Sequence, residues 1–444
     1  MRNKKSNIKI RKAISVSTSS FLISKIRNLV RSFQLPVSSF QPRILLLICF
    51  SLFTFHSMKG QELETLINEA LENNPEIQKF DFQHKIASEK VNEVNSIPNT
   101  EFNFGFMAVS PEMNMPMERF RVSVMQMLPW FGTITARENY ASSMADAQYI
   151  EITIAKRKLA LSVSQLYYQL YEIDAKQKVL ERNISLLQSY EQIALTSLEV
   201  GKASAVDVLK LQIRQNELQE QKKVLIQKAS GLQAALNSFL NRDYDSKVSV
   251  LSTLEIPQDD SYYSYNSLQV NPELLKYDKL YESVNQSELL NKKEGGPMIG
   301  FGVEYINQEN SPMITSSYKD MVMPMVSVSI PIFNKKYKSQ TIQNDLRKQE
   351  IQSQKAERLN MLKSELAKAI SQRNQSRISF DTQVQNLKRA EDAEEILIKN
   401  YETGTIDFND VLDIQELQLK FQMNQVESVK NYFVQSAFIN YVTN

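Results

Sequence analysis

The chain has 444 residues, with 52 Lys and Arg, 50 Asp and Glu, one Cys and two His. One thiol (Cys49) and two imidazoles (His56 and His84) are too few for a Cys/His zinc site or an internal disulfide, and no GxGxxG or Walker sequence is present, so no enzyme is expected. Eleven of the basic residues and none of the acidic ones fall in residues 1–60, leaving 41 basic against 50 acidic side chains beyond, a balance unsuited to nucleic acid.

Residues 1–60 read as a signal-peptide region. The apolar run Ile44 to Phe55 follows Arg43 and a long basic segment. It is shorter than the ~20 residues of a membrane-spanning helix and fits a signal-peptide core, with small Gly60 at the cleavage position. Ile48 before Cys49 does not make a lipid-attachment motif. No lipid anchor is expected.

Beyond Gly60 one pattern is written twice. Asn74-Pro75-Glu76 returns as Asn271-Pro272-Glu273, Leu128-Pro129-Trp130-Phe131 as Ile330-Pro331-Ile332-Phe333, and Gly201 with Asp207-Val208-Leu209 as Gly404 with Asp410-Val411-Leu412. Landmarks in one order at a nearly constant offset mark a duplicated unit. The first repeat spans 61–241, with strands at about 101–109 and 118–128 and helices at about 133–199 and 207–241. An inter-repeat linker, 242–266, leads to the second repeat, 267–444. Its strands lie at about 298–306 and 322–332, and its helices at about 335–402 and 408–442.

The strands rest on period-two alternation. Phe102, Phe104 and Phe106 share one face, Val122 and Val124 oppose Arg119, Arg121 and Ser123, and Val326 and Val328 oppose Ser327 and Ser329. The helices rest on heptads: Ile152, Leu159, Leu166, Ile173, Leu180, Leu187 and Ala194, then Leu211, Leu218, Leu225, Leu232 and Phe239, and again Leu412, Leu419, Val426 and Phe433. Four strands with an apolar face cannot close a barrel, and lipid does not tolerate open edges, so several chains must pool them. The fold class expected is mostly α, with long coiled-coil helices standing on a small β portion.

These features resemble the TolC family of outer-membrane efflux ducts over essentially all of residues 61–444. The resemblance is carried by the Asn-Pro-Glu openings, the Leu-Pro-Trp-Phe-Gly and Ile-Pro-Ile-Phe strand ends, and the glycine turns followed by Asp-Val-Leu. It implies a homotrimer with a 12-stranded barrel in outer-membrane lipid and a helical tunnel in the periplasm of a Gram-negative bacterium. It also implies docking to a periplasmic adaptor and an inner-membrane pump, of the RND type, with no cofactor. In the family's terms Val200-Gly201-Lys202 and Thr403-Gly404-Thr405 are the adaptor-contact turns, with Lys202 standing where the family has leucine. Asp207, Asp407 and Asp410 are candidates for a periplasmic gate, their other reading being helix caps.

Methionine stands out. Met113, Met115, Met117 and Met321, Met323, Met325 alternate in corresponding regions, which puts three thioethers on one face of an extended segment. Thioether sulfur suits Cu(I) and Ag(I), and apolar filling is the competing reading. The function expected is a passive exit duct for heavy-metal efflux, or for drugs or secreted protein. An exported structural coiled coil or adhesin is the alternative of another class.

Overall fold

The duplication is visible in helix lengths. In the computed structural model, which describes residues 61–106, 117–201, 204–260, 265–309, 319–403, 405–406 and 408–443, the helices α1 (Gln61–Asn73) and α2 (Pro75–Val94) open the first repeat. Strands β1 (Thr100–Phe106) and β2 (Met117–Leu128) follow, then α3 (Thr133–Glu199) and α4 (Ala205–Leu240). A short 3-10 turn (Tyr265–Val270) precedes α5 (Pro272–Glu294), β3 (Met298–Glu309), β4 (Met321–Ser329), α6 (Lys336–Glu402) and α7 (Phe408–Thr443). Both α3 and α6 have 67 residues, and both α4 and α7 have 36. At ~1.5 Å per residue the longer pair are rods of roughly 100 Å. Among the described residues no helix is long and apolar enough to cross a membrane.

Each repeat is closed by the same side chain. Asn74 caps α2 by accepting from the Glu76 N–H at 2.8 Å, and Asn271 caps α5 by accepting from Glu273 N–H at 2.8 Å. Proline follows each cap at the first helical position, where its missing N–H is not needed.

Three apolar clusters run along the helices. One joins Leu66 and Ala70 of α1 to Leu159, Val163 and Tyr167 of α3 and Leu236 and Leu240 of α4. A matching one joins Leu274 of α5 to Leu362 and Leu366 of α6 and Ile439 of α7. The third lies toward the hairpin turns and includes Leu187, Leu211, Leu218, Phe408 and Val411. The heptad positions of α3 are buried from Ile152 to Ala194 except Leu166, which yields its place to Val163 and Tyr167. In α7 the buried stripe departs from the expected Leu412, Val426 and Phe433. Val411, Gln415, Gln418, Val429 and Tyr432 are buried instead. The glutamines are the reason: Gln415 donates to Asn183 Oδ1 and Gln418 to Glu394 Oε2, each at 2.8 Å, so polar side chains occupy core positions with partners.

The linker is tied down rather than loose. Leu251 and Leu254 donate backbone N–H groups to the Tyr167 and Tyr171 hydroxyls at 3.0 and 3.2 Å. Asp260 then accepts from Arg377 at 2.7 Å and from the Tyr432 hydroxyl at 2.6 Å, fastening the segment to α6 and α7.

The four strands form one antiparallel sheet in the order β1-β2-β3-β4. Strand β4 ends at Ser329, three residues short of its expected end at 332, because Pro331 has no N–H for a ladder. Strand β3 runs three residues past its expected end, to Glu309. Of the segment expected to finish β1, residues 107–109 lie outside the described residues, as does the proposed signal-peptide region.

Candidate functional site

Register sorts the sheet into two faces. Phe102 pairs with Val124, which pairs with Val303, which pairs with Pro324. Phe104, Val122, Tyr305 and Val322 form the next row on the same side. This face is apolar and uncovered: Phe106 is 81% exposed and Val326 71%. Apolar area costs about 25 cal/mol per Å² in water, so the face requires a non-aqueous neighbour. The edge strands β1 and β4 each have a sheet partner on one side only.

The opposite face carries the polar side chains. Asn103 donates to Ser123 at 3.4 Å, and Arg121 reaches Glu118 at 2.6 Å and Glu304 at 3.6 Å. A register irregularity between Glu118 and Phe120 puts Arg119 at a bulge. Met321, Met323 and Met325 lie within β4 on this polar face. Met117 begins β2 across from Glu309, while Met113 and Met115 lie outside the described residues, so the two triplets are not brought together here.

Spacing within a single strand passed over two other methionines. Met125 pairs with Gly302 and Met127 with Gly300, and these glycines pair onward with Met325 and Ser327. A β-carbon on Gly300 would lie 2.5 Å from Met127 Sδ and 2.2 Å from Ser327 Oγ, and one on Gly302 would lie 3.1 Å from Met125 Sδ. The missing side chains thus make the floor on which the thioethers rest. The Ser327 hydroxyl donates toward both sulfurs, at 3.5 Å to Met127 and 3.8 Å to Met125. Cross-strand pairing, not visible in one strand's spacing, is what joins them.

Where strands become helices, aromatic residues are bare. Trp130 and Phe131 precede Gly132, whose φ of 81° turns the chain into α3, and Phe333 is 98% exposed at the equivalent place before α6. Trp130 also packs on Gly296, where a β-carbon would lie 3.1 Å from its Cβ. A ring of this kind at the end of an apolar sheet suits the interface between lipid and water.

At the other end of the rods are the hairpin turns. Gly201 has φ 73°, and no atom lies within 4 Å of the position a β-carbon would take. Glycine is therefore required by the backbone and not by crowding. Val200, Thr403 and Thr405 are exposed, and both threonine hydroxyls donate to the Asn400 carbonyl at 2.8 Å. Lys202, Gly404 and Asp407 lie outside the described residues. Asp207 is occupied as a cap: its carboxylate accepts from Ser204 N–H at 3.2 Å while Ser204 Oγ accepts from Val206 N–H at 3.2 Å. Asp410 is exposed in the first turn of α7. The two hairpins meet just behind the turns, where Lys210 donates to Asn409 at 2.6 Å and Arg214 approaches Glu416 at 3.4 Å. Phe408 is wedged between the Tyr190 and Tyr401 rings.

The sequence of residues 66–239 matches the family model described as outer membrane efflux protein. The fold matches solved channels over most of their length. The matched segment, 174 of the 444 residues, is similar in sequence to outer-membrane efflux proteins. VceC of Vibrio cholerae superposes with a TM-score of 0.70 at 16% identity, covering 86% of this chain and 96% of that one. For CusC, whose crystal structures concern transmembrane channel formation, the values are 0.72, 14%, 86% and 92%. CmeC of Campylobacter jejuni, an outer-membrane channel, gives 0.69, 13%, 86% and 85%. At these identities the likeness is one of fold. No curated protein matches in sequence.

The segment that matches the family model, 66–239, contains both kinds of surface, the apolar strand face of β1 and β2 and the packed rods α3 and α4. The family is one of channels, not of enzymes. His84 makes an edge contact with the Tyr149 ring, 5.4 Å between ring centroids.

Proposed function

We propose that three copies of the chain pool their sheets into a 12-stranded barrel, continued by a helical tunnel, and serve as the passive exit duct of a tripartite efflux system. One observation carries this reading: the sheet has a lipid-suited face and two open edges, which one chain cannot close. Edge pairing of β4 with β1 of the next copy removes both liabilities at once. The polar face then lines a wet lumen.

A duct of this kind holds no energy source of its own, so an inner-membrane pump of the RND type and a periplasmic adaptor would deliver cargo. The turns at Val200-Gly201-Lys202 and Thr403-Gly404-Thr405 are the proposed docking points. Asp410, exposed beside one turn, is the better placed of the gate candidates, since Asp207 is engaged as a cap. Soft heavy-metal ions, Cu(I) or Ag(I), are the proposed cargo, supported by methionines on the polar sheet face.

Deleting the gene and restoring it on a plasmid tests the reading. Copper and silver accumulation should rise in the deletion strain and return to normal on complementation. A deletion that raises drug accumulation but leaves both metals unchanged would move the cargo to drugs, and one that changes neither would overturn the efflux role.

A further inference from the structure

We infer that Met125, Met127 and Met325 build a monovalent soft-cation site on the lumen face of the sheet, floored by Gly300 and Gly302 and closed on one side by Ser327. The inference deepens the duct reading by naming where cargo pauses. Three observations lead to it. First, the β2–β3–β4 register places the three thioether-bearing residues on one face, in two adjacent rows. Second, both glycines sit between them, and any side chain at Gly300 would collide with Met127 and Ser327. Third, the Ser327 hydroxyl directs its proton toward the sulfurs of both Met125 and Met127. Two lone-pair donors converging on one electropositive hydrogen are two donors able to converge on a small cation.

The chemistry selects the ion. Neutral thioethers attract Cu(I) and Ag(I), while Zn(II), Mg(II) and Ca(II) favour imidazole, thiolate or oxygen ligands. Among the described residues no group of three His, Cys, Asp or Glu is placed to hold a metal. Thioethers carry no charge, which keeps binding weak enough for release. A conduit needs sites that ions can leave. No bond to the protein breaks and no electron is transferred. The cation exchanges waters for sulfur and takes them back.

The test uses the purified full-length protein in detergent, with Ag(I) nitrate in chloride-free buffer followed by calorimetry. Wild type should bind Ag(I), and excess Zn(II) should not displace it. Met125→Leu/Met127→Leu, which keeps size and apolarity while removing sulfur, should weaken binding at least tenfold. Met144→Leu/Met361→Leu, at two helix positions 41% and 47% exposed, should bind like wild type. Particle mass and thermal melting of every variant, measured on the same samples, establish equal folding. An unchanged isotherm in the strand variant, or no Ag(I) bound by a folded wild type, overturns the site. A trimer that binds no silver leaves the duct standing without this site, whereas a monomer that binds it sinks the duct and keeps the site.

Discussion

Asn271 Nδ2 donates to the carbonyl oxygen of Val442 at 2.8 Å, across 171 positions of chain, and so fastens the start of α5 to the end of α7. Asn74 makes the same bond to Phe239 at 2.9 Å in the first repeat. Each asparagine therefore does two things, capping its own helix with oxygen and closing its repeat with nitrogen. Asn271→Ala should lose a cap and leave a buried carbonyl without its donor, together about 2–4 kcal/mol. Asn271→Asp should keep the cap and lose only the closure, giving a smaller drop. Thermal melting of both variants checks the order, and an Asp variant as unstable as the Ala variant would contradict the division of labour.

A second prediction concerns acid. Glu273 follows Asn271 and accepts from Arg358 and from the Tyr441 hydroxyl, both at 2.5 Å, with Arg157 also nearby. Burial by itself would raise its pKa, but the two hydrogen bonds and the positive charges outweigh burial and hold it below the usual carboxylate range. A depressed folded pKa means stability that is complete above the unfolded value near ~4.3 and is lost as pH falls through the folded value. Glu273→Gln should thus melt lower than wild type at pH 7, and the gap should narrow below about pH 4. A gap constant across that range would remove the charge from the account.

The turn at Gly201 can be tested without disturbing the barrel. Since no atom crowds the β-carbon position, a substitution there is penalised only through its positive φ. Gly201→Val should cost about 1–2 kcal/mol locally and reduce crosslinking to the adaptor, with Gly201→Asn closer to wild type because asparagine tolerates this backbone region. Normal crosslinking and transport by the Val variant, at equal membrane levels, would remove the turn from docking.

Phe104 and Val326 lie on the bare apolar face, and arginine at either should be disfavoured by about 2–4 kcal/mol if it faces the middle of a bilayer. Arginine at Ser327, on the other face, should leave membrane insertion intact. Outer-membrane fractionation after a high-salt wash reads the difference. Equal recovery of all three variants would show that neither face contacts lipid.

Much of this architecture was legible in the residues themselves. Phe102, Phe104 and Phe106 alternate with polar positions, and the Asn-Pro-Glu boxes name both helix starts, because capping and pleating are local rules. The rest depends on neighbours distant in sequence. Gln415 is buried only because Asn183 stands opposite it, which no hydrophobic periodicity encodes. Met125 and Met127 join Ser327 only once β2, β3 and β4 are in register, a pairing that the spacing within one strand does not encode. The Asp207 cap depends on Ser204, whose side chain completes the capping box.

The central claim is that four strands per chain become a closed barrel by assembly. The mass of the detergent-solubilised protein, measured by light scattering with the detergent contribution subtracted, addresses it directly. The account predicts a single species of three chains. A folded, monodisperse monomer, with the edges of β1 and β4 unpaired, would contradict it.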